Sequence, residues 1–189
     1  MELLDNAPHD FILHHQEKDL LRFDNFVHRT FNSIDAVQFI KSLQHLYTVH
    51  NGLEEALAVR PGESDYKNAI SKFKKTFFEI PHQARTQKHV SDPLKGSAAK
   101  RIHMFLRWMV RNDSHGVDFG IWRTHNPAHL SCPLDVHSGN IARKLGLITR
   151  KQNDWKALHE LDLNLRNLDA KDPSKYDFAL FGLGVFEKF

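Results

Sequence analysis

Apolar residues recur at three- and four-residue steps along nearly the whole chain, and Pro or Gly breaks the pattern at short intervals. No run shows the period-two alternation of a half-buried strand, so the pattern dictates many short helices. Asn6 or Asp5 is placed to cap a short helix that opens on Ala7-Pro8 and runs through Phe11 and Ile12. Ser33 reads as the cap of a longer helix with Val37, Ile40, Leu43 and Tyr47 inward, stopped by Asn51-Gly52. Leu53 to Val59 gives a brief helical turn ended by Pro61-Gly62. Asp65 then starts a helix with Ala69, Phe73, Phe77 and Ile80 on one face, closed by Pro81. The strongest pattern lies over 98–110, with Ile102, Phe105, Leu106 and Met109 at core spacing and Lys100, Arg107 and Arg111 on the other face. After a loop-rich stretch from Asn112 to Pro133, Asp135 leads into a helix through Ile141 and Leu145 that stops at Gly146. Asn153 or Asp154 opens the next, through Leu158, Leu161 and Leu165, and Pro173 begins the last, through Phe178 and Phe181. The expected fold is all-α and multi-helical, about eight short helices without repeats, in two parts, 1–84 and 85–189, packed together.

A chain of 189 residues, 41% hydrophobic and 26% charged, buries one sizeable core or two small ones and is not a disordered tail. Its net charge of only +3 hides a strong asymmetry. Residues 85–151 carry 12 basic and 4 acidic groups, with no Glu, while 1–84 carry 9 and 12 and 152–189 carry 5 and 7. A basic middle between acidic ends points to a polyanionic partner. A membrane partner is not expected, since there is no run of 18 apolar residues. The single cysteine, Cys132, excludes an internal disulfide framework and a Cys-built zinc or iron–sulfur cage. No charged leader followed by an apolar stretch opens the chain, and a reducing cytoplasm is the expected location.

Two local patterns in the basic stretch carry chemistry. In Leu94-Lys95-Gly96-Ser97-Ala98-Ala99-Lys100, small residues precede a helix; this is either a plain helix start or a turn whose amides, with the helix N-terminus, receive a phosphate. In Pro133-Leu134-Asp135-Val136-His137-Ser138-Gly139-Asn140-Ile141-Ala142-Arg143-Lys144-Leu145-Gly146-Leu147, Asp135 is either an ordinary N-cap or a functional carboxylate at a helix start. Lys95, Arg101, Arg107, Arg111, Arg123, Arg143, Lys144, Arg150 and Lys151 form either a solvated basic face or a phosphate track, with the Gly96 and Ser97 amides as its best anchors.

Together the two motifs resemble the helix-hairpin-helix DNA glycosylase superfamily, of the endonuclease III and archaeal 8-oxoguanine glycosylase kind. The segments GSAAKR, MFLRWMVR, VDFGIW, PLDVH and KYDFALFGLG resemble more closely the bacterial domain-of-unknown-function family 2400, over most of the chain from Asn6 to Val185. The superfamily resemblance implies Lys100 as the nucleophile and Asp135 as the acid/base, acting on DNA with an oxidised base such as 8-oxoguanine. It also allows a monovalent cation at the hairpin carbonyls and requires no other cofactor and no obligate protein partner. The sequence departs from the superfamily pattern in three places. Ala98 replaces the second hairpin glycine, the four-cysteine cluster of endonuclease III is missing, and the insertion after residue 111 lengthens the Lys100-to-Asp135 spacing. Family members usually carry residues ahead of the position of Met1, so an N-terminally shortened fold is expected.

In such a mechanism a neutral amine attacks the anomeric carbon, and the flipped base stacks on aromatic rings. Phe119 and Trp122 are the candidate stacking residues, and His137 joins them as a candidate for the base pocket. The resemblance of its segment to VDTH implies that His137 also helps hold Asp135 or its loop, and Trp108 and Trp155 are expected in packing. Fourteen histidines invite a metal reading, but His14-His15 and the Pro-interrupted pair His125 and His129 fit no ligand motif, and no metal site is expected. The competing function is a non-catalytic helix-hairpin-helix DNA-binding protein; a third is an enzyme acting on nucleotides or a small anion through the same hairpin.

Overall fold

The computed structural model describes residues 1–113 and 116–187; Ser114 and His115 of the 112–133 insertion lie outside the described residues. The chain is mostly helical, with eight α-helices among the described residues: α1 Pro8–His14, α2 Ser33–Val49, α3 Gly52–Ala56, α4 Lys67–Phe77, α5 Lys100–Val110, α6 Val136–Lys144, α7 Trp155–Leu168 and α8 Asp177–Val185. A departure from the helical expectation is a two-residue hairpin, β1 Val27–His28 against β2 Phe31–Asn32, antiparallel with His28 opposite Phe31. The chain divides into two compact units. One comprises Met1–Leu57 and Lys72–Val90, the other Ala58–Ser71 and Ser91–Phe189, so that α4 is shared between them.

In the first unit, Phe11, Leu20, Phe23, Ala36 and Ile40 form the core, with Phe26, Phe31 and Val37 packed around it. The cap of α2 is Asn32, one residue before the expected Ser33. Its side chain accepts the Asp35 N–H, and the Asp35 carboxylate accepts the Asn32 N–H in return. Asp35 is fully buried. Thr86 Oγ1 donates to it at 2.9 Å, with Arg85 at 3.3 Å and His89 at 3.2 Å. Burial pushes its carboxyl up, but these bonds and charges outweigh that and hold it below the usual carboxylate range. Asn51, in the left-handed region at φ 56°, ends α2 where Asn-Gly was expected to. At the other end of this unit α1 starts on Pro8 after Ala7, which makes no side-chain cap; Asp5 and Asn6 both adopt left-handed turns instead.

The second unit is built on α6, α7 and α8, whose Ile141, Ala142, Leu158, Leu161, Leu165 and Leu180 bury together with Leu134, Ile148 and Trp155. Asp154 caps α7, accepting the Ala157 N–H at 3.1 Å. On α4, Ala69, Phe73 and Phe77 are buried as the spacing predicts. The buried stripe of α5 is rotated by about one residue from the expected face: His103, Leu106, Arg107 and Val110 are inside. Ile102, Phe105 and Met109 are half-buried, and Trp108 is 37% exposed rather than packed.

One buried acid of this unit sets a pH dependence. Asp162 is enclosed with the Cys132 N–H at 3.2 Å and Arg166 at 3.7 Å. Burial pushes its carboxyl up to about 7. The folded chain therefore keeps this proton to near neutrality, whereas the unfolded chain releases it near the usual carboxylate value of about 3.9. Stability from this group is full below about pH 4 and falls as pH rises toward 7, by on the order of 4 kcal/mol in total. Asp162→Asn, which stays neutral, is expected to flatten that fall; urea midpoints between pH 5 and 8 measure it, and an unchanged slope would exclude Asp162 as its source.

Candidate active site

The turn ahead of α5 is fixed by Asp92. Its Oδ1 accepts the Leu94 N–H at 3.1 Å and the Ser71 hydroxyl at 2.7 Å, and its carbonyl accepts the Lys95 and Ser97 amides. Gly96 sits at φ 88°, a conformation open to glycine, and its carbonyl receives the Trp155 N–H at 2.9 Å, tying the turn to the start of α7. Ala98 needs no positive φ, so its replacement of a glycine is tolerated. The left-handed residue is Ala99, at φ 44° and ψ 38°, immediately before α5. A non-glycine residue there costs roughly 1–2 kcal/mol, and its reward is the abrupt start of α5 at Lys100. The first-turn amides of α5, those of Lys100 and Arg101, have no carbonyl partner within the helix and give that end its partial positive charge.

Lys100 meets Asp135 across this helix start, Nζ to Oδ2 at 3.0 Å, with the lysine side chain 44% exposed and the aspartate 15%. The carboxylate divides its work between its two oxygens. Oδ1 accepts the Ser138 N–H at 2.9 Å and so caps α6, while Oδ2 faces Lys100. Ser138 Oγ receives the Asp135 N–H at 2.9 Å, closing a capping box, and Asn153 Nδ2 donates to the Asp135 carbonyl at 2.8 Å. Burial raises the Asp135 carboxyl, but the Ser138 amide and the Lys100 ammonium prevail and hold it below its usual range. The result is an ionised carboxylate locked in place beside a reachable amine.

The family described as "Protein of unknown function (DUF2400)" matches residues 1–186. The chain belongs to this DUF2400 family. No curated protein and no solved structure matches it.

In this DUF2400 member several expected phosphate contacts are committed elsewhere. The Gly96 and Ser97 amides point inward, to the Pro93 and Asp92 carbonyls, whereas the amides at the start of α5 have no carbonyl partner within the helix. Arg107 is buried, not outward. Its guanidinium pairs with Asp118 at 3.1 Å and with Asp177, and lies 4.4 Å over the Phe178 ring. Arg111 is held by Asp172 and Asp118, both at 2.8 Å. Arg143 is drawn to the Arg150 carbonyl at 2.7 Å and to Asn153 at 2.6 Å, and Arg150 to Asp154. Lys95, Arg101, Arg123, Lys144 and Lys151 remain exposed.

The aromatic candidates are placed differently from one another. Trp122 is packed, edge-on to Phe105 with centroids 5.4 Å apart and 5.1 Å from His125, and so is not a presented stacking surface. Phe119 is 57% exposed, hydrogen-bonded through its amide to the Trp108 carbonyl. His137 is exposed and turns its ring toward Phe181, 6.0 Å away; Ser138 and Asn153 hold Asp135 in its stead. Trp155 is buried as expected. His125 is engaged by the Tyr66 hydroxyl at 2.7 Å, its ring stacked on the tyrosine.

Behind the pair stands the buried network of Arg107, Asp118, Arg111 and Asp177, which sequence spacing did not reveal. Asp177 begins α8 and feels the charges of both Lys100 and Asp135. Burial pushes its carboxyl up to about 6 against the pull of Arg107. Cys132 Sγ lies 3.7 Å from Asp177, and burial together with the neighbouring carboxyls pushes its thiol well up, leaving it unreactive. Gly139 lets Asn153 and Arg143 close over α6: a Cβ there would stand 2.8 Å from Asn153 Oδ1 and 3.0 Å from the Arg143 guanidinium. A Gly inside a helical pattern was the signal in the sequence for that close approach.

Proposed function

We propose that the chain is a helix-hairpin-helix DNA glycosylase with AP-lyase activity on an oxidised base, with Lys100 as nucleophile and Asp135 as its acid/base partner. The observation that carries this reading is the 3.0 Å approach of an exposed lysine amine at one helix start to a helix-capping carboxylate at another, in residues 35 positions apart that both fall on the superfamily motif. The reading is supported further by the net basic charge of 85–151 and by the amide dipoles at the start of α5, which favour a phosphate close to the lysine.

In this scheme Asp135 takes a proton from Lys100, and the freed amine attacks the sugar's anomeric carbon. The base departs with the electrons of the glycosidic bond and takes up the proton that Asp135 received. Asp135 then moves a second proton from the attached amine to the ring oxygen as the ring opens to a Schiff base on Lys100, and loss of a proton from the adjacent carbon expels the 3′ phosphate. Asp135 also stabilises positive charge as it develops on the sugar.

Borohydride reduction of the protein on duplex DNA carrying a panel of oxidised bases tests this. The wild-type chain is expected to form a covalent adduct with at least one lesion, and Lys100→Ala none. No adduct with any lesion, or an undiminished one in Lys100→Ala, overturns the lysine mechanism; salt-dependent binding without base release would instead favour a non-catalytic DNA-binding role.

A further inference from the structure

His45, His50 and Glu79, in the first unit, bring three ligand atoms together that neither motif accounts for. His45 Nε2 stands 3.1 Å and His50 Nε2 2.8 Å from the same oxygen, Glu79 Oε2. The two rings lie edge to face, 5.2 Å apart, and all three ligand atoms fall within 4.8 Å of one another. Among the described residues no other three His, Cys, Asp or Glu side chains gather so closely.

The backbone builds this convergence. Residues five apart on a continuous helix would face directions about 140° apart. Here α2 ends at Val49, and His50 leaves the helix at φ −116° and ψ 20°, its N–H still bonded to the Leu46 carbonyl. Glu79 comes from the turn after α4, with its own N–H bonded to the Thr76 carbonyl at 3.2 Å. The three side chains thus arrive from separately anchored pieces of backbone.

We propose that His45, His50 and Glu79 form a binding site for a divalent transition-metal ion, zinc in the first instance, with a fourth position open to water. Two imidazole nitrogens and one carboxylate are a donor set suited to zinc, whereas calcium and magnesium take mainly oxygen ligands. Tetrahedral bonds of about 2.0–2.1 Å put neighbouring ligand atoms roughly 3.3 Å apart. The present separations from Glu79 need to open by only a few tenths of an ångström. Side-chain exposures of 23% for His45, 31% for His50 and 55% for Glu79 leave a path for the ion, and the imidazole protons that now face Glu79 leave as the metal takes their place. The metal would clamp the end of α2 to the turn after α4. It takes no part in the lysine chemistry, so it stands or falls independently of the proposed function.

The test titrates the metal-stripped full-length chain with Co²⁺. One equivalent is expected to give a saturable visible absorption of four-coordinate cobalt that Zn²⁺ displaces, with a rise in melting temperature. His50→Ala and Glu79→Gln, each checked for wild-type helical circular dichroism, are expected to weaken that equivalent by at least about tenfold. His28→Ala, at an exposed histidine outside the cluster, is expected to leave it unchanged. No saturable band in the wild-type chain overturns the proposal, as does a band of unchanged affinity in both cluster variants.

Discussion

Asp135→Asn is expected to lower single-turnover release of the target base by about 10²–10⁴-fold, the range for loss of a positioned acid/base group, while leaving thermal stability close to wild type. The two effects separate because the two carboxylate oxygens do different things. Oδ1 accepts the Ser138 N–H at the start of α6, and the amide oxygen of Asn caps equally well. Oδ2 supplies the charge opposite Lys100, and an amide has none to supply. Asp135→Ala removes both and is expected to lose roughly 1 kcal/mol of stability as well, read from urea unfolding. Base release in Asp135→Asn at the wild-type rate would remove Asp135 from the mechanism and leave it a helix cap alone.

Arg107→Ala is expected to destabilise the fold by roughly 3–5 kcal/mol, because it leaves the buried Asp177 carboxylate without its counter-charge and Asp118 with Arg111 alone. The side chains of Asp118 and Asp177 are 0% and 8% exposed, and the guanidinium between them also covers the face of Phe178. Urea denaturation measures the loss. Adding Asp177→Asn to Arg107→Ala is expected to recover part of it, since a neutral amide removes the stranded charge. If the double variant loses as much as the two single losses summed, the residues are not coupled and the network has been misread.

What the sequence made legible follows the range of the interactions involved. Asp135 and Asp154 are caps that act within three residues, and both were readable; Asn32 displaced Ser33 because its partner Asp35 completes a reciprocal box that Ser33 could not. The leucines of α7 bury as their spacing requires. The inward face of α5 was misplaced because Arg107 counts as polar in any helical periodicity, yet its partners lie 11 and 70 residues away. Once those close around it, the helix turns to bury it, and Trp108 goes to the surface. The proximity of Lys100 and Asp135 was legible only through motif resemblance, since nothing in the 35 residues between them fixes their meeting. The meeting of His45, His50 and Glu79 escaped because H-x-x-x-x-H matches no ligand spacing on a regular helix; the two imidazoles converge only where α2 stops.

The division of the chain also bears on how the molecule can be dissected. Because 58–71 belongs with 91–189, no single cut separates the two units, and a C-terminal fragment beginning at Ser91 would start life incomplete. It would lack Tyr66, whose hydroxyl holds His125, and Lys67, whose ammonium lies 5.4 Å over the Trp155 ring. It would also lack Ser71, which grips the Asp92 carboxylate that shapes the turn before Lys100. The turn before Lys100 is therefore not a portable cassette: its geometry is inherited in part from Ser71, which precedes Asp92 by 21 positions, and grafting or trimming it has to carry that residue along.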